Sequence, residues 1–524
     1  MFRTVGLDCA RLANLLLLAG LLASCGGGGG GGSSTVASSN LLGPSAQYAQ
    51  QCDPSNPVAP AANKTSSLGT EKQWIRSYVN EAYLWYNQVP TVDALAASYS
   101  GPMSSLNAYN VPTPLDSYFR ALKTPQITAT GTLVDKFSFA YATADWNALS
   151  QSGQSAGYGA NVALLATTVP RKAVVAYTDP NTPAALAQPP VTRGAQILAL
   201  DGVDLVNDNT QAGVAILNKA LFPNVNEAHL FTLLDAGSST TRTVTLTTQI
   251  ITSTPVQNVK TIPGANSSTV GYMLFNAHLA SAEPLLVNGI NQLKTAGVSD
   301  LVLDLRYNGG GYLYVASQLA YMIAGPSSTT NKIFEKLQYN DKRTADTNSP
   351  SSSTPFRNVT CNLNGNACTS SNPLPYLGLN TVYVLTQGGT CSASESIINA
   401  LRGVGLTVRL IGNTTCGKPY GFTAKDNCGV SYFPIEFKGT NQVGFGDYSD
   451  GFSANCSAND DFSKPLGDPS EGQLAAALTL QSTGLCPGGT AIKPQIALEA
   501  AKPSPSYILL RNALLENRWL LPQR

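Results

Sequence analysis

The stretch TVYVLTQGGTCSASESIINALRG, residues 381–403, reads as a strand, a turn and a helix in that order. TVYVLT is a short run rich in β-branched and aromatic residues, and the Gly-Gly and Ser-rich segment ends it. A helix then starts beyond Ser392. In such a turn the backbone bends sharply, so a serine hydroxyl stands clear and nearby amides point at an incoming carbonyl. Ser392 is therefore a candidate nucleophile. Ser-rich turns before helices also act as N-caps, so the turn alone leaves both readings open.

Outward from this stretch, residues 268–485 repeat the same alternation. VGYMLFNAHL, LVLDLR, TVYVLT and VRLIG read as strands, and 282–296, 313–323 and the segment after Ser392 read as helices. Such alternation implies an α/β core with mainly parallel strands, whose functional groups gather where strands end. CGKPYG follows VRLIGNTT, a strand expected beside the serine turn, and places Lys418 26 residues after Ser392. A serine hydroxyl is nearly inert until a base takes its proton. Histidine is the usual base, but the chain has only His229 and His278. Lysine can serve where burial disfavours its ammonium form. LVLDLRYNGGGYL adds Gly309, Gly310 and Gly311, which can turn the chain and expose amides, although a GGG turn is also an ordinary loop.

Together these pieces resemble the S41 peptidases, the carboxyl-terminal processing or tail-specific proteases. The resemblance implies Ser392 as nucleophile, Lys418 as general base, and the amides of Gly311 and Ala393 as an oxyanion hole. Ser394 and Glu395 become helix-start residues, with Glu395 a first-turn carboxylate that favours the helix dipole. Asp304 and Arg306 read as a structural ion pair at the sheet edge. Many members carry a glutamine four residues after the lysine, where this chain has Phe422. Lys418 must then be oriented by something else, or the Cys416–Cys428 region must rearrange the site. Cys391 as a thiol nucleophile and His278 in a Ser-His arrangement are alternatives. A disulfide or buried role for Cys391, and a helix-start or surface position for His278, fit the residues better.

Residues 129–255 turn to short β-branched runs with one helical stretch, GVAILNKALF. Gly157-Tyr158-Gly159-Ala160 before NVALL, with RGAQILALDGVDL after it, resembles a PDZ domain. In that fold the loop amides take a peptide's terminal carboxylate and the strand edge pairs with the peptide. The plain alternative is a spacer of the same shape that binds nothing. Before it, 69–128 includes EKQWIRSYVNEAYLWYNQVP and reads as a small helical domain whose aromatics Trp74, Tyr78 and Trp85 pack its own core. Residues 25–68 are rich in Gly, Pro and Ala without periodicity and read as an unstructured tether. The core is expected over 256–485 and a tail over 486–524.

Over 524 residues the formal net charge is +1 and no basic run occurs, which argues against nucleic acid as a partner. Residues 1–24 read as a signal peptide: Arg3 and Arg11 precede a short apolar run ending Leu22-Ala23-Ser24-Cys25, which resembles a lipobox with Cys25 acylated. Gly26 rather than Asp after that cysteine suggests an outer-membrane destination on the periplasmic side. Cys52, Cys361, Cys368, Cys391, Cys416, Cys428, Cys456 and Cys486 remain, an even set expected to form disulfides, with Cys361–Cys368 and Cys416–Cys428 the favoured local pairs. Zinc fits poorly without a CxxC motif, and no metal or cofactor is expected.

The resulting expectation is a multidomain α/β, lipid-anchored serine endopeptidase of the bacterial envelope, acting on proteins or peptides with an apolar C-terminus. Two rivals share the fold: an inactive peptide- or ligand-binding lipoprotein, and a serine esterase or amidase on a non-peptide substrate.

Overall fold

A computed structural model describes residues 42–128, 131–364, 367–369, 371–492, 507–510 and 518–519. The expected signal peptide, Cys25 and the glycine run lie outside these residues. Among the described residues no helix is long and apolar enough to cross a membrane.

The core is a six-stranded sheet in the order Val256–Pro263, Thr269–Phe275, Asp300–Asp304, Thr381–Thr386, Thr407–Gly412, Cys456–Ser457. The first pair is antiparallel and every later pair parallel. Parallel strands need crossovers, and the helices Ala282–Thr295, Leu313–Ala324 and Ala393–Gly403 supply them. Side chains alternate between the two faces, as a period of two requires. Leu301 and Leu303 pack with those three helices, while Val302 packs with Gly472–Thr483 on the other face. Both faces are therefore covered, which explains why the strands read as continuous apolar runs. Helix Leu313–Ala324 is buried all round, and its sequence LYVASQLAYMIA carries no charge.

Asp304 and Arg306 do not sit at a sheet edge. Asp304 ends the central strand and both residues are fully buried. The Arg306 guanidinium pairs with Asp304, Asp460 and Glu471, and Asp460 also takes Arg193 and the Tyr307 hydroxyl. Burial opposes the charge on Arg306, but these carboxylates more than offset it and hold the guanidinium well above its ordinary value. A buried charge survives only with such partners, so the cluster is a fixed joint between the core and the β-rich unit that contributes Arg193. Sequence spacing could not reveal partners more than 150 residues away.

The β-rich unit is an antiparallel sheet in the order Ala160–Ala166, Lys172–Thr178, Gln196–Leu200, Ala228–Leu234, Thr241–Thr247, with helix Gln211–Leu221 beside it. The Thr210 hydroxyl caps that helix by accepting from the Gly213 amide. Ile508–Leu510 adds a further antiparallel strand on the free edge of Ala160–Ala166.

Two expectations about the N-terminal region are overturned. The aromatics of helix Leu68–Ala82 do not make a core of their own. Trp74 packs on Tyr432 with ring centroids 5.3 Å apart, and the Tyr78 hydroxyl donates to Glu436. A 15-residue helix buries too little by itself, so its apolar stripe completes the main core instead. The described part of the supposedly unstructured stretch is also held: Cys52 is bonded to Cys428, and Glu71 accepts from the Asp53 amide and Asn56. The DNCGVSYFPIEFKG region, which offers no motif, forms the strands Lys425–Asn427, Val430–Phe433 and Phe437–Thr440 against which these residues pack.

Among the described residues the disulfides are Cys52–Cys428, Cys361–Cys368, Cys391–Cys416 and Cys456–Cys486. The Cys361–Cys368 expectation holds and Cys416–Cys428 does not. Both cysteines flank the lysine loop, but its two ends diverge: Cys416 turns toward the serine and Cys428 toward the N-terminal segment.

Candidate active site

Ser392 stands between strand Thr381–Thr386 and helix Ala393–Gly403 with φ 60° and ψ −113°. A non-glycine residue at positive φ is strained by about 1–3 kcal/mol and persists only where its surroundings impose it. Here the imposition is visible. The Cys391 amide and the Ser394 hydroxyl both donate to the Asn308 carbonyl, and the Thr390 hydroxyl donates to the Leu305 carbonyl. The serine turn is thus hung on the loop that leaves the central strand.

That loop carries Gly311, at φ 135°, where an added Cβ would come within 2.4 Å of the His278 carbonyl oxygen. Only glycine allows this approach. The Asn308 side chain fixes the loop further: its Oδ1 accepts from the Gly310 amide and faces His278 Nδ1 at 2.9 Å, and its Nδ2 donates to the Phe275 carbonyl. Gly311 and Ala393, the expected oxyanion donors, therefore lie on two segments joined through Asn308. His278 is neither at the surface nor at a helix start. It is fully buried, and desolvation pushes its pKa down to about 3, so the ring is neutral.

Lys418 is fully buried after strand Thr407–Gly412. Its Nζ lies 4.7 Å from the ring centre of Phe137 and 4.9 Å from that of Phe422. Two aromatic rings thus flank the amine, and the Phe422 that departs from the family pattern is one of them. Phe137, outside every motif, carried no sequence signal.

Glu395 joins the two halves. Its Oε2 accepts from the Ser392 amide at 2.9 Å and the Lys418 amide at 2.8 Å, so those nitrogens lie no farther apart than the sum of the two. Its Oε1 accepts from the Gly417 amide and the Thr415 hydroxyl. Burial raises the carboxyl's pKa above its ordinary range, against these four donors, which lower it. The first-turn position expected from sequence is correct, but the role is larger than a dipole contact. The Cys391–Cys416 bond and the Cys416 amide, which donates to the Thr390 carbonyl, tie the same segments again. Cys391 is thereby consumed as a thiol, and the Cys391–Glu395–Cys416 and Cys52–Glu71–Cys428 groupings both have their sulfurs in disulfides.

The four-residue element Gly157–Ala160 links strand Gln154–Gly157 to strand Ala160–Ala166. Tyr158 is buried and donates its hydroxyl to the Ala220 carbonyl. Gly159, at φ 81°, has Thr182 where a Cβ would go. An apolar cavity opens beside this turn, lined by Tyr158, Val162, Leu221, Phe231 and Leu510 among others.

Residues 269–425 match the family model for peptidase family S41. Over 125 residues the chain is 32% identical to a carboxyl-terminal-processing protease of a Picosynechococcus species, covering 24% of this chain and 29% of that one. Over 225 residues it is 29% identical to the carboxyl-terminal-processing protease of a Synechocystis species, covering 43% and 44%. The chain thus spans less than half the length of the curated relatives it matches. A solved Bacteroides fragilis structure assigned to the S41 proteases superposes with a TM-score of 0.56 at 23% identity, covering 78% of this chain and 96% of the other. That likeness concerns the fold.

Proposed function

We propose that this chain, whose residues 269–425 match peptidase family S41, is a serine endopeptidase of the carboxyl-terminal processing type, with a Ser392/Lys418 dyad. Lys418 takes the Ser392 proton as Oγ attacks a peptide carbonyl, and the oxyanion accepts from the Gly311 and Ala393 amides. The amine leaves with the proton from Lys418, and Lys418 then activates the water that breaks the acyl ester. These steps call on no metal or organic cofactor.

The observation that carries this reading is the single carboxylate oxygen of Glu395 shared by the Ser392 and Lys418 amides. A capping residue for one helix has no need to hold a loop more than twenty residues away. The test is covalent labelling by a serine-directed acylating probe. The intact chain should label and Ser392→Ala should not; equal labelling of both rejects the nucleophile.

The Gly157–Ala160 turn and its neighbouring strand edge would present a peptide to that site in the manner of a PDZ domain. Substrates are then proteins or peptides with apolar C-terminal segments. Cys25 would anchor the molecule by lipid in the bacterial envelope, at the periplasmic side of the outer membrane, with the glycine run as spacer. Fractionation of Cys25→Ser tests this: the protein should move to the soluble fraction with its activity intact, and continued sedimentation with membranes would count against the lipid anchor.

A further inference from the structure

The groove beside the Gly157–Ala160 turn is already occupied. Ile508–Leu510 lies antiparallel on its edge strand, with Ile508 opposite Leu164, Leu509 opposite Ala163 and Leu510 opposite Val162. Leu510 lines the apolar cavity together with Tyr158 and Phe231. Tyr507, just before, is buried with its ring centre 5.5 Å from that of Phe462 and 6.1 Å from that of Tyr307, which anchors the strand to the core. Farther along the same chain, Arg518–Trp519 pairs in parallel with Gly311–Tyr312, Arg518 opposite Gly311. That second strand also lies against Tyr420–Gly421, which begins two residues after Lys418.

One stretch of polypeptide thus reaches both places that an incoming peptide would need. We propose that residues 507–510 and 518–519 are an internal occupant of the peptide groove and of the Gly311 edge, competing with substrate in cis. This rests on the protease reading for its consequence, but not for the occupancy itself. A strand edge directs each free N–H and C=O to one partner, so a second peptide strand cannot pair there until the first has left. A tethered occupant acts at an effective concentration of about millimolar, enough to exclude free peptides of ordinary micromolar affinity. The occupant also defines the ligand class: an extended segment whose aliphatic side chain, leucine here, enters the cavity at the position of Leu510. Because the chain continues past Leu510, the groove holds this segment without a terminal carboxylate.

The experiment uses a fluorescent peptide carrying Tyr-Ile-Leu-Leu and three proteins in a Ser392→Ala background: the full chain, the full chain with Leu510→Asp, and a chain ended after Tyr507. Keeping Tyr507 preserves its buried ring. Anisotropy should show both altered proteins binding the peptide at least about tenfold more tightly than the full chain, as removal of a tethered competitor requires. With Ser392 restored, the same changes should lower KM for an aliphatic peptide substrate. Altered proteins that unfold cooperatively yet bind no more tightly than the full chain would overturn the proposal. Hydrogen exchange on the unaltered chain needs no variant: the Ile508–Leu510 amides should be protected, and exchange at the unfolded-chain rate would also overturn it. Failure of the protease reading would show as probe labelling independent of Ser392, which leaves the anisotropy result standing by itself.

Discussion

Ser392→Ala is expected to lower kcat/KM for an unstructured peptide by about 10⁴-fold or more, and Lys418→Ala by a similar factor. The reason is that neither group acts without the other: the hydroxyl is a poor nucleophile until deprotonated, and the amine has nothing to deprotonate once the hydroxyl is gone. The double variant should therefore be little worse than either single one, whereas independent contributions would multiply. Lys418→Arg should stay inactive, because a guanidinium remains protonated at any working pH and cannot accept the proton. Steady-state kinetics on purified proteins decides the matter. Losses that multiply in the double variant, or substantial activity in Lys418→Arg, would sink the dyad while leaving the fold untouched.

Glu395→Gln separates two views of that carboxylate by magnitude. A first-turn acid that merely favours the helix dipole contributes about 0.3–1 kcal/mol. In the structure both oxygens accept two donors each, from Ser392 and Lys418 on one and from Gly417 and Thr415 on the other. An amide nitrogen in place of either oxygen faces two donors and accepts from neither. With about 1–3 kcal/mol for each buried group left unsatisfied, the loss should be about 2–6 kcal/mol. Denaturant unfolding measures it, and peptide hydrolysis should fall in parallel because the serine turn and the lysine loop lose their common anchor. A change below about 1 kcal/mol would leave Glu395 as a first-turn carboxylate that only favours the helix dipole.

Much of the core was legible because period and punctuation agree there. TVYVLT, Gly-Gly and the Ser-rich turn announce strand, bend and helix, and the described Ala282–Thr295 and Leu313–Ala324 helices fall where the residue pattern puts them. What escaped was non-local. Arg306 gains Asp460 and Glu471, and Lys418 gains Phe137, from residues that no spacing rule connects to them. His278 looked polar enough for a surface, yet its backbone bridges Gly311 and its ring is sealed beneath the loop. The cysteine pairs show the same limit: proximity in sequence found Cys361–Cys368 and misassigned Cys416, whose partner was fixed by where two strand ends meet. Trp74 and Tyr78 announced a helix correctly, but not that its apolar side would close over Tyr432.

The bond between Cys52 and Cys428 spans 376 positions. Synthesis runs in one direction, so an early thiol must wait until residue 428 has been made before its partner exists. Thiols also stay reduced in the cytosol and pair in oxidising compartments. The hairpin that follows Lys418 is clamped to the N-terminal segment by this bond, and the serine turn is clamped to the lysine loop by Cys391–Cys416. A copy that stops short of residue 428 lacks the first clamp, and a fully reduced copy lacks both. The Cys52–Cys428 bond can therefore close only after synthesis has passed residue 428 and only where thiols can oxidise, so the order of these two events is written into the covalent structure.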